Sequence, residues 1–226
     1  MAVGQKVDFS EYGIVKPELA LMQHNKCCYC EKREEQAKFR DVEHYRPKGQ
    51  YWWLAWTWEN LLFACQDCNR EFKRDRFPLS AGSRLAEDEP PPGTELPLVI
   101  DPCDSTVDPS AEIVFRRESV QRRERWRPQG LTARGRETIE VCGLDRPGLL
   151  DLYADHVNHC VRPKVALLCN VSPSAGARGV VDAWRSTVRG LLAPCRPFRS
   201  LAHDALEALV PASLRKTYNL ELSRPR

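Results

Sequence analysis

Two cysteine pairs, Cys27-Cys28-Tyr29-Cys30 and Cys65-Gln66-Asp67-Cys68, constrain this chain more than any other feature. Cys27 with Cys30 and Cys65 with Cys68 supply four thiolates at the spacing of a closed tetrahedral zinc site. Cys28 is a neighbouring competitor, but only Cys27 stands at the Cys-x-x-Cys distance from Cys30. A staple of this kind fixes the backbone held between the pairs. That backbone carries Val42-Glu43-His44-Tyr45-Arg46-Pro47-Lys48 and Trp58-Glu59-Asn60-Leu61-Leu62, and Asn69 directly follows the last Cys.

A chain of 226 residues has room for one large domain, or for a small module with a comparable second part. Formal net charge is only +3, so electrostatics alone do not mark a nucleic-acid binder. The distribution says more than the sum. Arg116, Arg117, Arg122, Arg123, Arg125, Arg127, Arg134 and Arg136 crowd one stretch, either as a surface that tracks phosphates or as a solvated hairpin or helix face. No apolar h-region follows Met1 and no apolar run is long enough to span a bilayer, so a cytoplasmic protein without membrane contact is expected. Ten Cys in such a chain point to metal binding or free thiols rather than disulfides. Cys28, Cys103, Cys142, Cys160, Cys169 and Cys195 lack ligand spacing and are expected to be buried free thiols.

The expected organisation is α+β, with a zinc-stapled module over 1–85 and a mixed, mainly helical region over 86–226. In the module, Pro17 to Gln23 reads as a short helix with Pro in its first turn. Phe39 to Tyr45 and Asn60 to Ala64 read as strands, and Asn69 to Arg74 as a short helix. Trp52, Trp53, Trp56 and Trp58 are read mainly as core filling, with base stacking the second possibility. Beyond it, the proline-rich stretch 87–97 is expected as a linker. Leu98 to Pro102 and Glu112 to Arg116 are expected as strands. Thr132 to Cys142, Leu149 to Leu168 (interrupted at Pro163) and Leu201 to Leu209 read as helices.

His44 is the first catalytic candidate, because a neutral imidazole can take a proton from an attacking water. Glu43 and Asn69 are candidates to hold one Mg²⁺, an ion that prefers hard oxygen ligands; Mn²⁺ is the alternative. Adjacent strand residues point to opposite faces, so Glu43 joins His44 only through a bulge and is otherwise a surface carboxylate. Asn69 also suits a helix N-cap. Asn60, between bulky apolar neighbours, must satisfy buried hydrogen bonds and could fasten the loop carrying His44. Lys73 and Arg70 are candidates to neutralise phosphate, with plain surface charge the simpler reading for Arg70.

Cys-x-Tyr-Cys, Val-Glu-His-Tyr-Arg-Pro-Lys, Trp-Glu-Asn-Leu-Leu, Cys-x-x-Cys-Asn-x-x-x-Lys and Phe-Pro-Leu together resemble the HNH (ββα-metal) endonucleases, in the PtuB-type variant of Septu and retron-associated antiphage systems. The resemblance is dense from Cys27 to Leu79. It echoes more loosely through Leu98 to Pro102, Gly143 to Arg146 and Pro197 to Leu201. It implies a ββα-metal core stapled by zinc on Cys27, Cys30, Cys65 and Cys68. His44 would be the general base, Asn60 the loop-fixing Asn, and Asn69 a metal ligand in the place of the last His of the motif. Glu43 would be an acidic metal ligand before the base, and Lys73 gains from the same pattern. It further implies hydrolysis of nucleic-acid phosphodiesters, DNA favoured over RNA, and a hetero-oligomer with an ATPase partner that gates the nuclease. The rival expectation is a zinc-stapled nucleic-acid- or protein-binding module without cleavage activity.

Overall fold

The computed structural model describes residues 10–80, 84–120 and 123–225. Strands β1 (Arg40–His44) and β2 (Leu61–Cys65) pair antiparallel, from Arg40 opposite Cys65 to His44 opposite Leu61. Every residue of β2 is buried. One reason is helix α1 (Lys16–Met22), whose Leu19 and Ala20 join Tyr12, Leu61 and Phe63 in a small apolar cluster. Pro17 sits in its first turn, where its missing N–H removes nothing. Gln23, just past its end, accepts from Phe63 N and donates to Phe63 O, both at 2.8 Å, so the outer edge of β2 has its backbone partners there. A wide π-type helix, Asp67–Lys73, follows β2 at once.

The remainder adds α2 (Pro109–Glu112), a hairpin of β3 (Ile113–Val120) and β4 (Arg123–Gly130), and α3 (Ala133–Cys142). Then come α4 (Pro147–His156), α5 (Arg162–Cys169), α6 (Gly176–Leu192), α7 (Arg199–Leu209) and α8 (Ala212–Thr217). The chain is thus a mixed α/β protein with two small antiparallel sheets and many helices among the described residues. One apolar core runs from Cys27 and Tyr45 through Trp126 and Tyr153 to Leu206 and Leu220.

Several expectations change. Leu98 to Pro102 is no strand: only an isolated bridge, Leu79 to Pro97, forms beside it. Val99 and Ile100 are buried by side-chain bonds instead, with Tyr45 donating to Val99 O at 2.8 Å and Thr138 Oγ1 accepting from Ile100 N at 2.9 Å. Arg116, Arg117, Arg125 and Arg127 of the Arg-rich stretch lie on the β3–β4 hairpin, longer than expected, with several of its charges paired, whereas Arg134 and Arg136 lie on α3. Arg117 meets Glu124 at 3.7 Å, and Arg127 meets Glu118 at 3.5 Å. Arg122 lies outside the described residues. Pro163 does not break its helix, because a π-turn, Val157–Val161, precedes it and places it in the first turn of α5. Helix α6 was not anticipated, although Val180, Trp184, Thr187 and Leu191 give it a buried stripe. Of the thiols expected to be buried, only Cys142 is; Cys28 is partly covered, and Cys103, Cys160, Cys169 and Cys195 are exposed. The tryptophans also depart from expectation: Trp52, Trp56 and Trp58 are 45%, 47% and 41% exposed.

Gly143 closes α3 at φ +59°, the left-handed region. A Cβ there would stand 2.1 Å from the Phe72 ring, on the helix that follows β2. The close approach of the two halves therefore requires glycine. Gly143→Ala is expected to destabilise the protein by at least about 1 kcal/mol, the cost of a left-handed Ala before the Phe72 overlap is added. Gly148→Ala, whose Cβ meets nothing within 4 Å, should stay within about 0.5 kcal/mol. Urea unfolding of the two variants checks this, and equal midpoints would refute it.

Candidate metal centre and active-site cavity

The Sγ atoms of Cys27, Cys30, Cys65 and Cys68 all lie within 4.8 Å of one another, and all four residues are buried. Cys30 and Cys65 approach to 3.8 Å. Tetrahedral zinc with Zn–S of about 2.3 Å sets its ligands roughly 3.8 Å apart, so the cluster fits such an ion in composition and size. The first pair sits on a tight turn, with Cys27 N donating to Lys32 O and Glu31 N to Cys27 O; Cys28 N adds a bond to Phe63 O at 3.0 Å. The second pair spans the end of β2 and the start of the π-helix. Arg146 donates to Cys68 Sγ at 3.5 Å and reaches Asp67 at 3.3 Å. Burial alone would lower the Arg146 guanidinium, but the thiols of Cys68 and Cys30 hold it above its usual range.

Regular pairing of β1 leaves no bulge at Glu43. Asp41 and Glu43 therefore face the π-helix, while His44 turns the other way. His44 is the last residue of the strand, and so it still shares with Glu43 and Asn69 the lining of one cavity of about 210 Å³. Lys48, Arg70 and Arg74 line the same cavity.

His44 Nε2 lies 3.0 Å from Ala55 O. A carbonyl can only accept, so Nε2 carries the hydrogen and Nδ1 holds the lone pair. Burial pushes the imidazole down to about 4, which keeps it neutral near pH 7. Tyr12 packs edge-on against the ring and donates to the same Ala55 carbonyl at 3.1 Å.

Glu43 is almost fully buried, and burial raises its carboxyl to about 7 against the pull of Lys73. Its Oε1 meets Lys73 Nζ at 2.5 Å and accepts from Tyr29 at 3.2 Å; its Oε2 has no partner among the described residues. Asn69 Nδ2 donates to Asp41 at 3.4 Å, leaving Oδ1 without a partner among the described residues. Two hard oxygens, Glu43 Oε2 and Asn69 Oδ1, are thus the donors a cation such as Mg²⁺ would take.

Asn60 is buried where a loop fastener is needed. Its Oδ1 accepts from Arg46 N at 2.7 Å, and its Nδ2 donates to Arg46 O and Leu54 O, both at 3.1 Å. It joins the chain after His44 to the chain before Ala55. Lys73 is corrected: with no exposed surface it donates to His44 O at 2.9 Å and pairs with Glu43, so it cannot meet a phosphate in this conformation. Arg70 is largely exposed but bound bidentately to Asp41, at 2.6 Å on both contacts.

Two residues escaped the sequence reading. Asp41 was readable in hindsight, standing two positions before Glu43 on the same strand face. Glu95 was not: it lies in the expected linker yet is buried, salt-bridged to Arg46 at 3.0 Å and hydrogen-bonded by Tyr51.

The chain is similar to a Septu protein PtuB of Bacillus mycoides (strain KBAB4), 30% identical over 171 residues that cover 70% of this chain and 56% of that protein. A Septu protein PtuB of Bacillus thuringiensis is 46% identical over 56 residues, covering 24% of this chain and 22% of that protein. The chain thus spans little more than half the length of the first relative. No protein-family model matches, and no solved structure matches. No helix among the described residues is long and apolar enough to cross a membrane.

If the thiol cluster holds zinc, purified protein should carry about one zinc per chain by elemental analysis. Cys30→Ser and Cys68→Ser should each release the metal and melt the β1–β2 region together with it. Either variant retaining its zinc and its melting temperature would contradict this.

Proposed function

We propose that this chain is a metal-dependent HNH-type endonuclease and the nuclease component of a Septu-like antiphage system, gated by an ATPase partner. The observation that carries the reading is the cavity where His44, Glu43 and Asn69 meet beside a buried four-thiol cluster. The resemblance of the motifs and the similarity to proteins named Septu protein PtuB support it. On this reading β1, β2 and the π-helix are the ββα-metal core, and the helical remainder docks the partner or grips nucleic acid.

The chemistry follows from the atoms left available. His44 Nδ1 takes a proton from water as its oxygen attacks phosphorus; Nε2–H stays on Ala55 O, which orients the ring, while burial keeps it neutral before the step. Asn60 holds the two segments that define this geometry. Glu43 and Asn69 would hold Mg²⁺, which when bound supplies Lewis-acid stabilisation to the scissile phosphate and leaving oxygen. Lys73 fixes Glu43 from behind through Oε1. Lys48 and Arg74, on the cavity lining, would offer positive charge to the phosphodiester backbone, while Arg70 is held on Asp41. Products carry 5′-phosphate ends.

The test is a Mg²⁺-dependent cleavage assay on DNA and RNA, run with the ATPase partner present. His44→Ala should lower the rate on the order of 10²–10⁴-fold with zinc content and melting temperature unchanged. Asn69→Ala should be partly restored by raising Mg²⁺, and Asn60→Ala should lose stability as well, because it strands buried backbone groups. A His44→Ala protein that cuts at the wild-type rate would overturn the nuclease reading and leave the binding-module alternative.

A further inference from the structure

Trp56 lies one ring behind the candidate cavity, packed on Tyr12, which lines it. Its ring stacks on Tyr12, with centroids 4.2 Å apart and planes 27° apart, and Tyr12 in turn packs edge-on to His44 at 4.7 Å. The residue before it, Ala55, gives one carbonyl to both Tyr12 and His44. Trp56 is therefore registered to the imidazole by one shared acceptor and two ring contacts. With one face covered by Tyr12, it is still 47% exposed. Nearly half exposed, the indole has surface left to offer a further ring.

We infer that Trp56 is a stacking subsite for an unpaired nucleobase of the strand being cut, which makes single-stranded or locally unstacked nucleic acid the preferred substrate. The inference rests on the nuclease reading above and adds the substrate class. A base inside a duplex has both faces covered by its neighbours, so a protein ring can stack only on one that is unpaired or flipped. The surroundings fit a polyanion better than an apolar protein surface. Lys48, whose Nζ lies 5.2 Å from the Tyr12 ring centroid, lines the adjoining cavity with Arg70 and Arg74. Cations along the backbone path with an aromatic platform beside them are the two parts of a single-strand groove. Trp58, by contrast, lines a different groove with Met22 and Cys103, away from His44.

The test uses the zinc-loaded protein together with its ATPase partner, and fluorescent oligonucleotides of one sequence, offered as single strand and as duplex. Binding is measured without added Mg²⁺, and cleavage with it. Wild type should bind and cut the single strand in preference to the duplex. Trp56→Ala should weaken single-strand binding on the order of 5- to 100-fold, the range for losing one stacked base, raising KM with little change in kcat. Trp56→Phe, which keeps a π-face, should restore most of the binding, and Trp58→Ala should bind as wild type. Zinc content and melting temperature confirm that each variant is folded. Single-strand binding unchanged by Trp56→Ala, or equal wild-type preference for duplex, would overturn the inference while leaving a His44-dependent nuclease intact. Trp56-dependent binding in a protein that cuts nothing would sink the nuclease reading and leave the stacking subsite standing.

Discussion

Four thiols brought within 4.8 Å of one another organise everything the candidate site depends on. Holding a zinc ion, they would clamp the Cys27–Cys30 turn against the end of β2 and the first turn of the π-helix. The site residues are tied to this cluster directly or through the β1–β2 ladder. Tyr29, inside the first pair, donates to Glu43, and Cys28 N bonds Phe63 on β2. Asn69 follows Cys68 directly, and His44 stands opposite Leu61 at the other end of the same two-strand ladder. Arg146 carries the constraint further by reaching from the start of α4 to Cys68, while Gly143 lets α3 close on Phe72. The helical remainder is thereby joined to the clamp by charge and by packing.

The buried ion pair of Glu43 and Lys73 is the second constraint. Two charges taken out of water gain from one another only when geometry is good and remaining polar atoms are satisfied. Here Lys73 has two acceptors, Glu43 and His44 O, and Glu43 Oε1 has two donors, Lys73 and Tyr29. Removing Lys73 would leave a buried carboxylate unpaired, so its role is to hold Glu43 and the end of β1 in place. Asp41, also buried, plays a parallel part further along the strand, holding Asn69 and Arg70 together. The site is a row of carboxylate-centred contacts along one strand face, with the imidazole around the end of the strand.

What was legible beforehand follows from distance along the chain. Ligand spacing is local, so the thiol set could be read directly, and Asn60 was readable because an amide between Trp58 and Leu61 has to find partners. Lys73 was placed by pattern but mistaken in role, since nothing in Asn69 to Arg74 reveals which side of a π-helix faces the sheet. Glu95 and Ala55 matter only through partners 49 and 11 residues away, Arg46 and His44, and their types carry no signal. The tryptophans misled for a simple reason: apolar character predicts burial on average, whereas Trp52, Trp56 and Trp58 lie on short turns at the edge of the module. Leu98 to Ile100 misled in the opposite sense, being buried without a strand to pair with.

The proposed chemistry requires His44 to be a neutral imidazole with its hydrogen on Nε2, held by Ala55 O, and its lone pair on Nδ1. Nitrogen-15 NMR of the histidine rings in zinc-loaded protein near pH 7 measures this directly, with His44 assigned by substitution. A protonated, pyrrole-like Nε2 and an unprotonated, pyridine-like Nδ1 are expected. A His44 with its hydrogen on Nδ1, or a doubly protonated ring, would contradict this chemistry.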